Sequence, residues 1–215
     1  PTVVPSISSV TVSDANSTVA AKIGAYVKML STLSVEITAA GSYGSTVSSC
    51  RTSLDGVNYT QASFTCTKCL STSGDLTLTV TVTDSRGRTA TYTETLTVLD
   101  YSYPSIRLFK ADRCNADGSA AQVDGTHVRY SFTGSVVSLN NKNALAGVVY
   151  YKLASDSEWT KAESLPVTSY TLSATDKVLT QTFDALSSYD IKVRLQDYFY
   201  YVEQAVSTGT KGVIM

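Results

Sequence analysis

The chain has 215 residues, room for one large domain or two ordinary ones, and 43% of them are hydrophobic against 16% charged, which excludes a disordered chain. A net charge of −1 and a pI near 5.8 leave no basic field to hold nucleic acid or an anionic membrane surface. No apolar stretch approaches the ~20 residues that a membrane helix needs. Roughly a quarter of the chain is Ser or Thr, and 14 Tyr stand against 2 Met, a bias toward strands over long helices. The sequence begins at Pro1 without a Met and shows no signal peptide, which reads as a portion of something longer.

In chain order, Ile7–Ser13 alternates and closes on a turn at Asp14-Ala15-Asn16. Ala20–Leu30 spaces Ile23, Val27 and Leu30 in a weakly helical way and fits a strand equally well. Leu33–Ala39 is the next strand, ended by Gly41-Ser42-Tyr43-Gly44. Thr46–Ser53 and Asn58–Phe64 flank Leu54-Asp55-Gly56-Val57, and Asp-Gly between two alternating runs predicts a tight hairpin. The most regular segment is Leu76–Leu99. There Leu76, Leu78, Val80 and Val82 alternate with threonines, and Asp84-Ser85-Arg86-Gly87-Arg88 supplies the turn. Strict period 2 with a threonine-clad outer face predicts an antiparallel sandwich with one face of each sheet in water.

Asp100-Tyr101-Ser102-Tyr103-Pro104 reads as a short linker, because Pro104 forces its neighbour extended and cannot donate to a ladder. Beyond it, strands are expected at Ile106–Ala111, His127–Leu139, Val148–Leu153, Glu158–Ala162, Val167–Ser173, Val178–Phe183, Tyr189–Leu195 and Tyr201–Val206, with Ala154-Ser155-Asp156-Ser157 as a hairpin turn. Leu186-Ser187-Ser188-Tyr189 has the pattern of a tyrosine corner, in which a Tyr hydroxyl pins the chain entering a late strand. The expected fold is therefore all-β: two tandem immunoglobulin-like or fibronectin-III-like antiparallel β-sandwiches, one over residues 1–100 and one over 101–215. Trp159, the one tryptophan, is assigned to core or edge packing in the second.

Catalytic motifs are missing. His127 is the lone histidine, it lies on an alternating strand, and no motif gives it a nucleophile or an orienting carboxylate. There is no G-x-S-x-G elbow, H-E-x-x-H helix or P-loop, so no enzyme activity and no cofactor are expected. Cys66-Thr67-Lys68-Cys69 is half of a zinc site, whose other half Cys50 and Cys114 would have to complete. Cys114 lies some ten residues along its strand from the linker, roughly 33 Å at strand rise, so convergence is not expected. Cys66 and Cys69 are instead candidates for a disulfide, with reduced thiols as the default state. Arg113–Asp124 has the outline of a calcium loop, with Asn115, Asp117, Gly118 and Asp124 in ligand-like register, but Arg113 stands where an acid is needed and Asn-Ala-Asp-Gly is also a good turn. No metal is expected. Tyr198-Phe199-Tyr200-Tyr201 is the one aromatic run, and Tyr198 and Tyr200 are the candidates for stacking on a sugar ring, against a packing role for the same rings.

Several phrases together resemble one family, the minor structural and tail proteins of siphoviruses that infect Gram-positive bacteria. They are Val82-Thr83-Asp84-Ser85-Arg86-Gly87-Arg88-Thr89, Tyr101-Ser102-Tyr103-Pro104, Arg113-Cys114-Asn115-Ala116-Asp117-Gly118, Asp124-Gly125-Thr126 and the closing Gly209-Thr210-Lys211-Gly212-Val213. The resemblance implies a non-enzymatic virion component of a phage tail or tail fibre, with Ig-like repeats as spacers or host-surface contacts. It implies other tail and virion proteins as partners, homo-oligomerisation of the full-length protein, and a host cell-surface glycan as a further partner. The alternatives are a carbohydrate-binding module for host cell-wall polysaccharide, or an adhesin repeat on a bacterial cell surface. The free-standing Cys114 is not part of the family pattern.

Overall fold

In the computed structural model, residues 3–121 and 125–209 are described. They form two compact units, Pro1–Tyr101 and Ser102–Met215, each with its own hydrophobic core. The all-β expectation holds: both units are sandwiches of the immunoglobulin-like kind, antiparallel throughout the described strands except where the two-residue strand Tyr26–Val27 runs parallel to Thr89–Leu99.

Among the described residues the first unit has β1 (Ser6–Asp14), α1 (Ser17–Lys22), β2 (Tyr26–Val27), β3 (Leu33–Ala40), β4 (Val47–Leu54), β5 (Val57–Tyr59), β6 (Ser63–Thr65), β7 (Gly74–Asp84) and β8 (Thr89–Leu99). One sheet has the order β1-β3-β6 and the other β2-β8-β7-β4-β5. Leu78, Val80 and Val82 face inward against Leu33, Val35 and Ile37, while the intervening threonines face outward. Asp55 and Gly56 form the predicted two-residue turn, with φ of 48° and 75°, as a type I′ turn requires.

Two parts of this unit depart from the sequence reading. Asn58–Phe64 is not one strand. Tyr59 and Phe64 are five residues apart, an odd spacing that a single strand cannot put on one face. The chain changes sheets between them, β5 pairing with β4 and β6 with β3, so that the two rings stack at 4.2 Å. The ambiguous segment around residue 20 begins as a one-and-a-half-turn helix. Asn16 caps it by accepting from the backbone N–H groups of Thr18 and Val19, and Val19 and Ile23 are buried.

The second unit, among the described residues, has β9 (Ser105–Cys114), β10 (His127–Ser135), β11 (Ala146–Leu153), β12 (Thr160–Leu165), β13 (Thr171–Val178), β14 (Tyr189–Gln196) and β15 (Tyr201–Thr208). Its sheets are β13-β10-β9 and β12-β11-β14-β15. Val128, Tyr130 and Phe132 pack against Val149, Ile191, Val193 and Leu195. Three corrections apply here. β10 stops at Ser135 rather than Leu139, because Leu139, Asn140 and Asn141 take left-handed φ values of 49°, 56° and 62°. The two strands expected at Val167–Ser173 and Val178–Phe183 are one, β13. Pro166 cannot donate to a ladder, and Val167 is 39% exposed. Residues 179–183 leave the sheet yet stay tied to it through Leu179 N–H to Val128 O and Phe183 N–H to Thr126 O.

Each unit passes the chain from one end to the other. In the first, Ser42 Oγ donates to Val4 O beside the β7–β8 turn, and β8 then runs 11 residues to the opposite end, roughly 36 Å. In the second, Tyr103 sits edge-on to Tyr200 at the β14–β15 turn, and β15 runs 8 residues away from it, roughly 26 Å. Among the described residues no helix is long and apolar enough to cross a membrane.

Candidate functional site

The family-like phrases turn out to be the corners of the two sandwiches. In the first, Asp84 is buried at the end of β7 and its carboxylate is surrounded by donors. Oδ1 accepts from the backbone N–H groups of Arg86 and Arg88 at 3.0 and 2.9 Å; Oδ2 accepts from Arg88 Nε at 2.8 Å and Ser45 Oγ at 2.9 Å. Arg88 continues to Ser42 O, and Arg86 reaches Tyr43 O, so one carboxylate and two arginines clasp the β7–β8 turn to the β3–β4 loop. Burial alone would push the Asp84 carboxyl up. The hydrogen bonds from Arg88, Ser45 and Arg86 outweigh it and hold the group far below the usual carboxylate range.

In the second sandwich the corner is built on Arg113. Its guanidinium donates to Gly125 O at 3.2 Å, Asp184 O at 2.9 Å and Ser187 O, and it lies over the rings of Tyr189 and Phe183 at 5.1 and 5.7 Å. Tyr189 is the tyrosine corner: its hydroxyl accepts from Asp184 N–H at 3.3 Å. Arg113, the residue in the wrong place for a calcium ligand, is thus the clamp of the whole turn region. The calcium-like loop is a turn. Gly118 N–H bonds Asn115 O, the Asp117 carboxylate accepts from Ser119 N–H and Oγ, and Gly118 has φ of 84°. Asp124 lies outside the described residues. Among the described residues no group of three His, Cys, Asp or Glu side chains is placed to hold a metal ion.

The candidate pair Cys66 and Cys69 is not joined in this structure. All four cysteines are free thiols, and Cys66 and Cys69 sit in different surroundings. Cys66 turns into the core at the end of β6, whereas Cys69 is exposed with its Sγ 3.3 Å from Thr32 Oγ1. Cys50 and Cys114 are buried. His127 opens β10 with Nδ1 3.2 Å from Thr126 Oγ1.

Trp159 is in neither core. It is half-buried on the outer face of β12-β11-β14-β15, its ring 4.4 Å from Lys192 Nζ and 5.4 Å from Lys152 Nζ. The same face carries Lys152 against Asp190, Lys192 over Tyr150 and against Glu203, and Arg194 over Tyr201. Aromatic rings and cations therefore alternate across this sheet and shield each other. Lys152 and Lys192 are only 13% and 14% exposed, so these two charges are largely covered by their rings and carboxylates.

Tyr198 and Tyr200 lie in the β14–β15 turn, which Asp197 ties by accepting from the N–H groups of Phe199 and Tyr200 at 2.8 Å each. The two rings are 45% and 43% exposed. Tyr200 gives an edge to Tyr103, and Tyr198 is T-shaped to Phe199 at 6.4 Å, so they do not form one flat platform.

A family model described as "Siphovirus protein of unknown function (DUF859)" matches residues 1–215. The chain belongs to this siphovirus family. No curated protein matches it. Solved structures similar to it include the three N-terminal domains of the highly immunogenic outer capsid protein (Hoc) of bacteriophage RB49. That match has a TM-score of 0.40 and 10% identity, covering 95% of this chain and 68% of that one. Another is a Ca2+-stabilised adhesin that helps an Antarctic bacterium reach out and bind ice, at a TM-score of 0.46 and 15% identity. The chain is covered to 95% in that match and spans 49% of the adhesin chain. It is a phage protein of β-sandwich architecture.

Proposed function

We propose that this chain is a non-enzymatic structural module of the phage virion, a spacer in a tail or tail fibre that carries other parts toward the host surface. The observation that carries this reading is the membership of the whole length in a siphovirus family, joined to two sandwiches that each pass the chain from end to end. A spacer needs rigid shape rather than a pocket. The clasps at Asp84 and Arg113 supply that rigidity where sandwich loops are otherwise loosest. Its partners in this reading are neighbouring virion proteins and further copies of itself. Mass spectrometry of gradient-purified virions should find its peptides in stoichiometric amounts, and gold-labelled antibody should decorate the tail. A chain made during infection yet missing from purified particles would overturn the proposal.

A second reading, a module that binds host cell-wall polysaccharide, rests on the exposure of Tyr198 and Tyr200. Stacking on one ring contributes about 1 kcal/mol, well short of the ~4 kcal/mol behind even a millimolar complex. Titration with host wall polysaccharide should therefore give no saturation below millimolar concentrations. Micromolar affinity abolished by Tyr198→Ala or Tyr200→Ala would put the binding module ahead of the spacer.

A further inference from the structure

In the first sandwich the outer face of β8, β7 and β4 is a field of hydroxyls. The β7 threonines from Thr77 to Thr83 stand on it at alternate positions, each opposite an exposed β8 threonine from Thr95 back to Thr89. β4 adds serines opposite Thr79 and Thr83. Among the described residues these three strands put only two charges on this face. They are Arg51, opposite Thr81, and Asp75, opposite Thr97, and both are exposed. The outer face of β12-β11-β14-β15 is built otherwise, with Lys152, Asp190, Lys192, Arg194 and Glu203 spread over it. Mixed charge of that kind keeps a solvated surface from associating, and the hydroxyl face lacks it. Each hydroxyl both donates and accepts, so such a face is able to pair with an identical one. Threonine is stiff at χ1, so covering it costs little side-chain freedom.

The placing of the two charges decides which partner fits. Asp75 lies three rows along β7 from the row of Arg51, six residues or roughly 20 Å, so the two cannot meet within one chain. A two-fold axis laid across the strands between Thr77 and Thr79 exchanges those rows. It sets Arg51 of each copy against Asp75 of the other, one strand spacing or roughly 5 Å to the side, within the reach of an arginine side chain. Between the two ion pairs, threonine rows lie on threonine rows. Asp75 has an oxygen to offer, since Thr97 Oγ1 donates to Oδ1.

We propose that this face is a contact between two copies of the chain, packed face to face with their strands antiparallel. It names the surface through which the spacer meets further copies of itself, and it rests on that reading. Three strands and four rows cover roughly 14 by 27 Å, on the order of 400 Å² in outline, which belongs to the small, transient class of interface. The contact is therefore weak between free chains and gains strength where a particle holds copies side by side.

Sedimentation equilibrium of the whole chain should show monomers and dimers with a dissociation constant on the order of 100 μM. Arg51→Asp and Asp75→Arg each set like charges against each other and should weaken the dimer by about tenfold or more. The two exchanges combined should bring it back. Should a reversal fail to fold, Thr93→Glu carries the test: its row faces that of Thr95 in the other copy, and the buried charge should block the dimer. A chain still monomeric at about 1 mM, a dimer indifferent to these variants, or reversals that the double exchange does not repair would each overturn the proposal. So would a monomer whose face takes up host wall polysaccharide instead, seen as shifted amide signals of the β8 threonines in NMR. A strictly monomeric chain whose peptides are nonetheless found in purified virions rejects the contact and leaves the spacer. A charge-dependent dimer of a chain missing from virions rejects the spacer and leaves the contact.

Discussion

Asp84→Ala should lower the melting temperature of the first sandwich by on the order of 10 °C or more and leave the unfolding of the second in place. The substitution removes the acceptor of four hydrogen bonds at once, and it leaves Arg88, whose side chain is only 24% exposed, with only Ser42 O and Ser45 Oγ as partners for its guanidinium. Asp84→Asn is the finer probe, since it keeps an acceptor for the two backbone N–H groups and loses the charge that holds Arg88. The sign of the pH effect follows from the depressed folded pKa. Protons bind this carboxyl more readily in the unfolded chain, so its stabilisation is complete above the ordinary carboxylate range and is lost as the pH falls below about 4 toward the folded value. Thermal scans of the wild-type chain and Asp84→Asn should therefore differ widely at pH 7 and converge between about pH 4 and pH 2. A gap that stays constant over that range would show that the charge of Asp84 is not what braces the turn.

Arg113→Ala should destabilise the second sandwich by on the order of 3 kcal/mol, a fall of about 15 °C in its melting temperature. Three carbonyl oxygens from two separate loops, those of Gly125, Asp184 and Ser187, lose a charged donor, and the rings of Tyr189 and Phe183 lose the guanidinium that covers them. Arg113→Lys should recover less than half of the loss, because a single ammonium cannot span carbonyls that a planar fork reaches from both nitrogens. Calorimetry of the whole chain separates the two transitions, and recovery by Lys to the wild-type value would mean that charge alone, rather than the fork, holds the corner. Release of Tyr189 by Arg113→Ala should also be visible as sharper tyrosine ring signals in NMR spectra.

The strands that could be read in advance are those whose pattern is local. Leu76–Leu99 shows its own period, and Asp55-Gly56 prescribes its own turn, so both are found where the residues put them. The tyrosine corner was also legible, because Tyr189 has to sit just before an alternating run. What the residues do not announce is decided by partners far along the chain. Asn58–Phe64 looks continuous until β3 and β4 compete for its two halves. The helix at Ser17–Lys22 is too short for its periodicity to register, although Asn16 is a good cap residue. Asp84 and Arg88 read as turn residues, and nothing in their spacing tells that the carboxylate is buried beneath Ser45, a residue 39 positions away. Trp159 looks like core by type, whereas the lysines that cover it come from β11 and β14.

The short strand β2 runs parallel to β8, Tyr26 beside Val98 and Val27 beside Leu99, with Lys28 N–H continuing the ladder to Leu99 O. If tension is applied to the two ends of this sandwich, the chain upstream of β2 is drawn one way and β8 the other. Two parallel strands pulled apart in this way slide along each other, so the bonds between them are loaded together and must fail together. A hairpin pulled at its open end gives way one rung at a time. The placement of two residues beside the last strand thus turns a brief pairing into a brake against stretching, of use to any appendage that must hold while a particle is tethered by its far end.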